Sequence, residues 1–305
     1  MLRPETPFEK YLRHPLEALA ATVVWGIFRI LPVDAASAVG GWLARTIGPS
    51  LKLSQRARAN IRRAFPDIED AACERIVIDM WDNLGRTVAE FPHIGAFRFD
   101  GDNPRVRING LQHLIDFRDD GQPGFYLSAH LGNWELAPMT AHVHGVPSAF
   151  VYREANNRLV EGLYMSGRRQ YRDMMIPKGA EGAKQMIKAL REGRHVGIMA
   201  DQKMNDGIPV AFFGTDAMTA PALAQLALRF NCPVIPARVI RDKVSNNRGC
   251  RFTVEISAPI YAEDTGDKTQ DVAAFMARAN AIIEDWVKEN PGQWLWLHNR
   301  WPGDS

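Results

Sequence analysis

The apolar positions along this chain fall into two regimes. Up to about residue 100 they recur at helical spacing; from Arg105 onward, short apolar runs alternate with amphipathic helical stretches. Leu16 to Leu31 is almost wholly apolar, interrupted only by Glu17, Thr22 and Arg29. Its 16 residues fall short of the ~20 that cross a bilayer as a helix. Ala35 to Leu53 is rich in small residues, with Val39, Trp42, Leu43, Ile47 and Leu51 near helical spacing. Ile68 to Phe91 reads as a third helix. Glu69 and Asp70 favour its positive end, Ile76, Met80, Leu84 and Val88 form one apolar face, and Pro92 stops it.

In the second regime the pattern predicts strands over Phe125–Ala129, Pro147–Arg153, Met174–Pro177, His195–Ala200, Pro233–Val239 and Phe252–Ile256. Helices are predicted over Asn156–Arg172, Glu181–Arg191, Pro221–Phe230 and Asp271–Glu289, with a loop after Asp201. Such alternation predicts an α/β fold whose mixed, largely parallel sheet is flanked by helices. The chain then divides into a helical region over residues 1–100 and an α/β domain over 101–305. In open α/β sheets, ligands bind at the carboxyl ends of the strands. His130, Arg153 and Asp201 all fall at such ends.

Composition narrows the function classes. Of the 305 residues, 46% are hydrophobic and 24% charged, as in ordinary globular proteins. A net charge of +2 suggests no nucleic-acid partner. Basic residues cluster locally: Lys52, Arg56, Arg58, Arg62 and Arg63 carry no acid among them, and a second basic region runs from Arg229 to Arg251. Each suits an acidic partner or is simply a solvated face. The three cysteines have no metal spacing and fit a reducing compartment. No cleaved signal peptide is expected. The apolar N-terminal helices followed by cations suggest a membrane anchor, spanning or interfacial; the alternative is a buried helical hairpin.

One stretch concentrates chemistry. In Gly124-Phe125-Tyr126-Leu127-Ser128-Ala129-His130-Leu131-Gly132-Asn133-Trp134-Glu135, a strand leads through a glycine turn into a helix that Asn133 is placed to cap. On one continuous helix, residues five apart point about 140° away from each other. A strand end, a turn and a helix start bring His130 and Glu135 together instead. A carboxylate bonded to one imidazole nitrogen leaves the other free to take a proton. The plain alternative is a strand-end histidine before an ordinary helix-start glutamate, and spacing taken alone favours it. There is no Gly-x-Ser-x-Gly elbow, phosphate loop, dinucleotide fingerprint or His-Glu-x-x-His site.

His130-Leu131-Gly132-Asn133-Trp134-Glu135 resembles the histidine–acid signature of membrane acyltransferases, in the form found in the bacterial lipid A biosynthesis acyltransferase family. Gly167-Arg168, Ala200-Asp201-Gln202, Phe212-Phe213-Gly214 and Trp294-Leu295-Trp296-Leu297-His298-Asn299-Arg300 resemble that family in the same order. Asn83-Leu84-Gly85-Arg86-Thr87 does so more weakly. The resemblance implies acyl transfer from a thioester, with acyl carrier protein as donor, to a hydroxyl of a lipid A precursor at the cytoplasmic face of the inner membrane. His130 would be the general base and Glu135 its orienting acid. Arg153 and Arg168 would grip phosphates on the glycolipid acceptor, with surface ion pairs as the alternative. Asn133, Asp201 and Gln202 would also meet substrate; a strand-end cap is the alternative for Asp201. Phe212-Phe213-Gly214 would shape a loop near the acyl chain or pack in the core. The tryptophans from Trp294 to Trp301 would form an interfacial belt or close the core. No cofactor or metal is expected. Two other readings stand beside this one: a transferase of the same fold acting on another glycolipid, a glycerolipid or an amino-acid lipid, and a non-catalytic membrane-binding module.

Overall fold

A computed structural model describes residue 6, residues 8–243 and residues 249–301. Four helices come first: α1 His14–Ile30, α2 Val33–Ile47, α3 Leu53–Ala64 and α4 Asp70–Glu90. The α/β part follows as β1 Val106–Asn109, α5 Leu111–Asp119, β2 Gly124–Ser128, α6 Leu136–Val143, β3 Ser148–Tyr152, α7 Arg158–Gly167 and β4 Met175–Pro177. It continues with α8 Ala180–Arg191, β5 His195–Met199, β6 Lys203–Phe212, β7 Thr215–Thr219, α9 Ala222–Phe230, β8 Val234–Arg241, β9 Phe252–Ile256 and α10 Lys268–Glu289.

Seven strands form one sheet in the order β1-β9-β8-β2-β5-β3-β4. Every pair is parallel except β8 with β9. The fold is thus α/β with a mixed, largely parallel sheet flanked by helices. β2 and β5, the middle strands, are buried on both faces for most of their length, as crossover helices on each side require. Phe125 and Leu127 join the core under α8, α9 and α10, whereas Tyr126 packs with Leu136 and Met139 of α6 on the other face.

The loop expected after Asp201 is instead the β6–β7 hairpin. Its two-residue turn, Phe213-Gly214, has φ of 51° and 70°, the left-handed pair that matches strand twist. A phenylalanine at φ > 0 is an unusual turn residue, which hid the hairpin from the sequence pattern. Phe212 is fully buried against Trp294 and Trp301, so this motif packs in the core rather than beside a ligand cleft. Trp294, Trp296 and Trp301 are likewise buried, which rules out an interfacial belt for them.

The N-terminal helices are tied to the sheet. α3 and α4 contribute Ala57, Ile61, Val77 and Met80 to the same core as Phe125 and Val196. α2 crosses α4 at Gly40 and Gly85, where a Cβ on Gly85 would sit 2.2 Å from the Gly40 carbonyl oxygen. Only paired glycines permit that approach, which explains the small-residue composition of α2. α1 and α2 keep an outward apolar side: Leu16, Leu19, Val23, Ile27 and Ile30 lie along one face of α1, and Val39, Trp42 and Ile47 along α2, all exposed. Among the described residues, no helix is long and apolar enough to cross a membrane.

Candidate active site

β2 ends in the turn that carries His130, and β5 ends two residues before Asp201. The parallel pairing of Ser128 with Met199 sets these two ends side by side. His130 Nδ1 lies 2.8 Å from Asp201 Oδ1, and the His130 backbone N–H donates to Oδ2 at 2.8 Å. Trp294 Nε1 donates to the same Oδ2 at 2.8 Å. Burial disfavours the charged carboxylate, but the His130 ring, its hydrogen bonds and the Trp294 donor prevail, and Asp201 is held well below the usual carboxylate range. An ionised carboxylate only accepts, so Nδ1 is the protonated nitrogen and Nε2 carries the lone pair. Burial also opposes the imidazolium of His130. The Asp201 charge, its hydrogen bond and the Glu135 charge together outweigh it, so the histidine binds a proton more tightly than usual.

The expected bond between His130 and Glu135 is therefore replaced by one between His130 and Asp201. Glu135 takes a different partner because α6 begins after it and Asn133 does not cap the helix. Its Oε2 and Oε1 accept from Arg168 Nε and Nη2 at 2.9 and 2.6 Å, and Tyr171 Oη donates to Oε2 at 3.3 Å. Arg168 is 7% exposed and lies within 6 Å of the Phe91, Tyr152 and Tyr164 rings. Its fork is thus committed to Glu135 rather than open to a phosphate. Glu135 and Arg168 still line the same cleft as His130, and the Glu135 charge adds to the proton affinity of the ring.

Asn133 does not reach the cleft: it is fully buried and donates to Glu90 Oε2 at 2.9 Å. It belongs to a pedestal beneath the turn. The Gly132 carbonyl oxygen accepts from Asn83 Nδ2 at 3.0 Å and Thr87 Oγ1 at 3.2 Å. Arg241 bridges Asn83 and the fully buried Glu90. Gly132 has φ of 58°, and a Cβ there would lie 2.3 Å from the Val239 carbonyl oxygen, so the turn requires glycine. The Asn83–Thr87 motif thereby finds its role as the support of the His130 turn.

Gln202 and Arg153 both line the cleft. Gln202 Nε2 sits 3.1 Å from His130 Nε2 and 2.9 Å from His298 Nε2, so its amide spans two imidazoles. Burial lowers the His298 pKa to about 4 and keeps that ring neutral. Arg153 is exposed at the rim. Two residues went unassigned in the sequence. His298 was visible only as part of the late tryptophan stretch, and Ser128, whose buried hydroxyl has no partner, gave no signal.

The cleft holds about 730 Å³. Its lining is mostly aliphatic and aromatic, with His130, Glu135, Arg168, Gln202 and His298 among the polar groups. An oriented base facing an apolar channel is suited to moving a proton from a lipid hydroxyl.

The bacterial lipid A biosynthesis acyltransferase family model matches residues 5–302. A lipid A biosynthesis acyltransferase of Haemophilus influenzae is 28% identical, over 91% of this chain and 87% of the relative. The lipid A biosynthesis myristoyltransferase of Escherichia coli is 24% identical, over 97% of this chain and 92% of the relative. The lauroyltransferase of the same organism is also 24% identical, over 96% and 94%. With a match running through nearly its whole length, and with an oriented histidine at the head of an apolar cleft, this chain belongs to the bacterial lipid A biosynthesis acyltransferases.

Proposed function

We propose that the protein transfers an acyl chain from an acyl thioester to a hydroxyl of a phosphorylated lipid A precursor. The observation that carries this reading is His130, held by Asp201 through Nδ1 and presenting Nε2 to a largely apolar cleft. The acceptor hydroxyl displaces the Gln202 amide from Nε2 and gives its proton to the ring as its oxygen attacks the thioester carbonyl. The tetrahedral intermediate collapses, the C–S bond breaks, and the imidazolium returns the proton to the leaving thiolate. Asp201 stabilises that imidazolium. The released Gln202 amide is placed to donate to the oxyanion. Glu135 holds Arg168 in the cleft wall and adds a second negative charge near the ring. The donor chain enters the limb beneath α6, lined by Tyr126, Ala141, Ala237, Val254 and Ile256.

Acyl carrier protein is the donor in this reading, docking on the basic run from Lys52 to Arg63. That run is partly neutralised, since Arg58 pairs with Glu74 and Arg62 with Asp70. The other basic region suits docking less: Arg238 and Arg241 are turned inward onto Glu255, Glu289 and Glu90, and Arg248 lies outside the described residues. The exposed apolar faces of α1 and α2 support association with the inner membrane by lying in the interface. Mass spectrometry of lipid A from cells with and without the protein tests the reading. One acyl chain fewer without it is expected; identical lipid A in both would overturn it.

A further inference from the structure

The cleft reaches both faces of the sheet. Gly197, Ile198, Met199 and Ala200 all line it, although successive strand residues point to opposite sides. Gly197 and Met199 face the limb under α6, with Phe150 packed over Gly197. Ile198 and Ala200 face the other side, where α8 and α9 stand apart over β5. Ala180, Ala183 and Met186 of α8 and Leu223 of α9 wall this second limb. The two limbs differ in character. The α6 limb runs inward across β2, β8 and β9 and ends at Leu114 of α5. The α8–α9 limb is a trough: Ala180 and Ala183 are exposed, and Ile198 is only partly covered.

Charge marks the head of the trough. Lys178 precedes α8 on one bank, and Lys203 and Met204 open β6 on the other, with Arg153 nearby at the rim. Among the described residues, Lys178, Lys203 and Arg153 join none of the ion pairs; Arg153 Nη2 donates to Asn156 Oδ1 at 3.1 Å, and the two lysines are left to meet a ligand. Unpaired cations at the head of an apolar trough match a phosphorylated headgroup with an aliphatic chain attached.

We propose that the α8–α9 trough binds an aliphatic chain of the acceptor glycolipid, with its phosphate between Lys178 and Lys203. This deepens the acyl-transfer reading and rests on it. The donor chain and the acceptor chain then lie on opposite faces of the sheet, and their reactive ends meet at His130, where the limbs join. An enclosed limb suits a chain delivered end-on as a thioester, and an open trough suits one whose headgroup stays outside.

The test is Ala183→Trp, which fills the trough from an exposed helix position and leaves the core untouched. Thermal unfolding checks that the fold is retained, and Ala183→Ser serves as the control. Two acceptors are compared, a phosphorylated acyl glycolipid and a short-chain analogue with the same headgroup. The KM for the long-chain acceptor should rise about tenfold, the loss of roughly two buried methylenes. The KM values for the analogue and for the acyl thioester should stay within about twofold. Equal effects on both acceptors, a changed donor-chain preference, or no effect would each overturn the proposal. Acceptor binding measured without thioester separates the two claims. Binding that Ala183→Trp weakens, in a protein that transfers nothing, would keep the trough and remove the transferase reading.

Discussion

At the scale of single residues, the site depends on one imidazole and the carboxylate that holds it. Asp201→Asn keeps the shape but offers the ring no full charge. The rate should fall by about 10²- to 10⁴-fold, read as kcat with saturating thioester and acceptor. The pH profile carries a sign. The base must be neutral, so activity rises with pH through the His130 pKa, which Asp201 raises. Without that charge, burial pulls the pKa down, and the acid limb of the profile should move to lower pH while its plateau falls. An unmoved limb would mean that another group sets it. Gln202→Ala should lower kcat more than it raises KM if its amide meets the oxyanion; the reverse split would make it a binding residue. At this scale the sequence conveyed the histidine but not its partner. Glu135 lies five residues away and Asp201 seventy-one, and only the pairing of β2 with β5 brings the distant one into contact.

At the scale of elements, α4 and β8 fix the His130 turn from below. Glu90 is fully buried between Arg241, Asn133 and Ser37. Glu90→Ala leaves the Arg241 cation uncompensated and should cost about 3–5 kcal/mol in urea unfolding. A loss under 1 kcal/mol would show that water reaches the pair. A second tie joins α2 to the sheet through Asp34, whose pKa is held down to about 2, chiefly by the Arg105 guanidinium. The folded value lies below the unfolded one, so this stabilisation is complete above about pH 4 and fades as pH falls toward 2. Screening at the half-exposed site limits it to about 1 kcal/mol, which Asp34→Asn should remove at neutral pH but not at pH 2. Most elements were legible because strands buried on both faces and helices with one apolar stripe leave distinct periods. The β6–β7 hairpin was not: Met204, Pro209 and Ala211 are exposed, so its strands show no clean alternation, and its turn uses a phenylalanine where glycine or asparagine is usual.

At the scale of the whole molecule, the helical layer shares a core with the sheet and turns an apolar side outward. The purified chain should float with anionic vesicles, and Leu19→Glu with Trp42→Glu should leave most of it in the soluble fraction. Recovery of the native chain there would end the interfacial-docking reading. The family resemblance pointed to acyl transfer and a lipid A-type acceptor, but not to the routes that chains take, because a cleft exists only once both faces of the sheet are covered. The most direct measurement is a reaction of the purified protein with an acyl thioester and a phosphorylated lipid A precursor, followed by mass spectrometry of the lipid. The native protein should add the mass of one acyl group, and a His130→Ala protein of unchanged thermal stability should add none. Equal product from both, or none from the native protein, would contradict the assignment of His130 as the base of an acyl transfer.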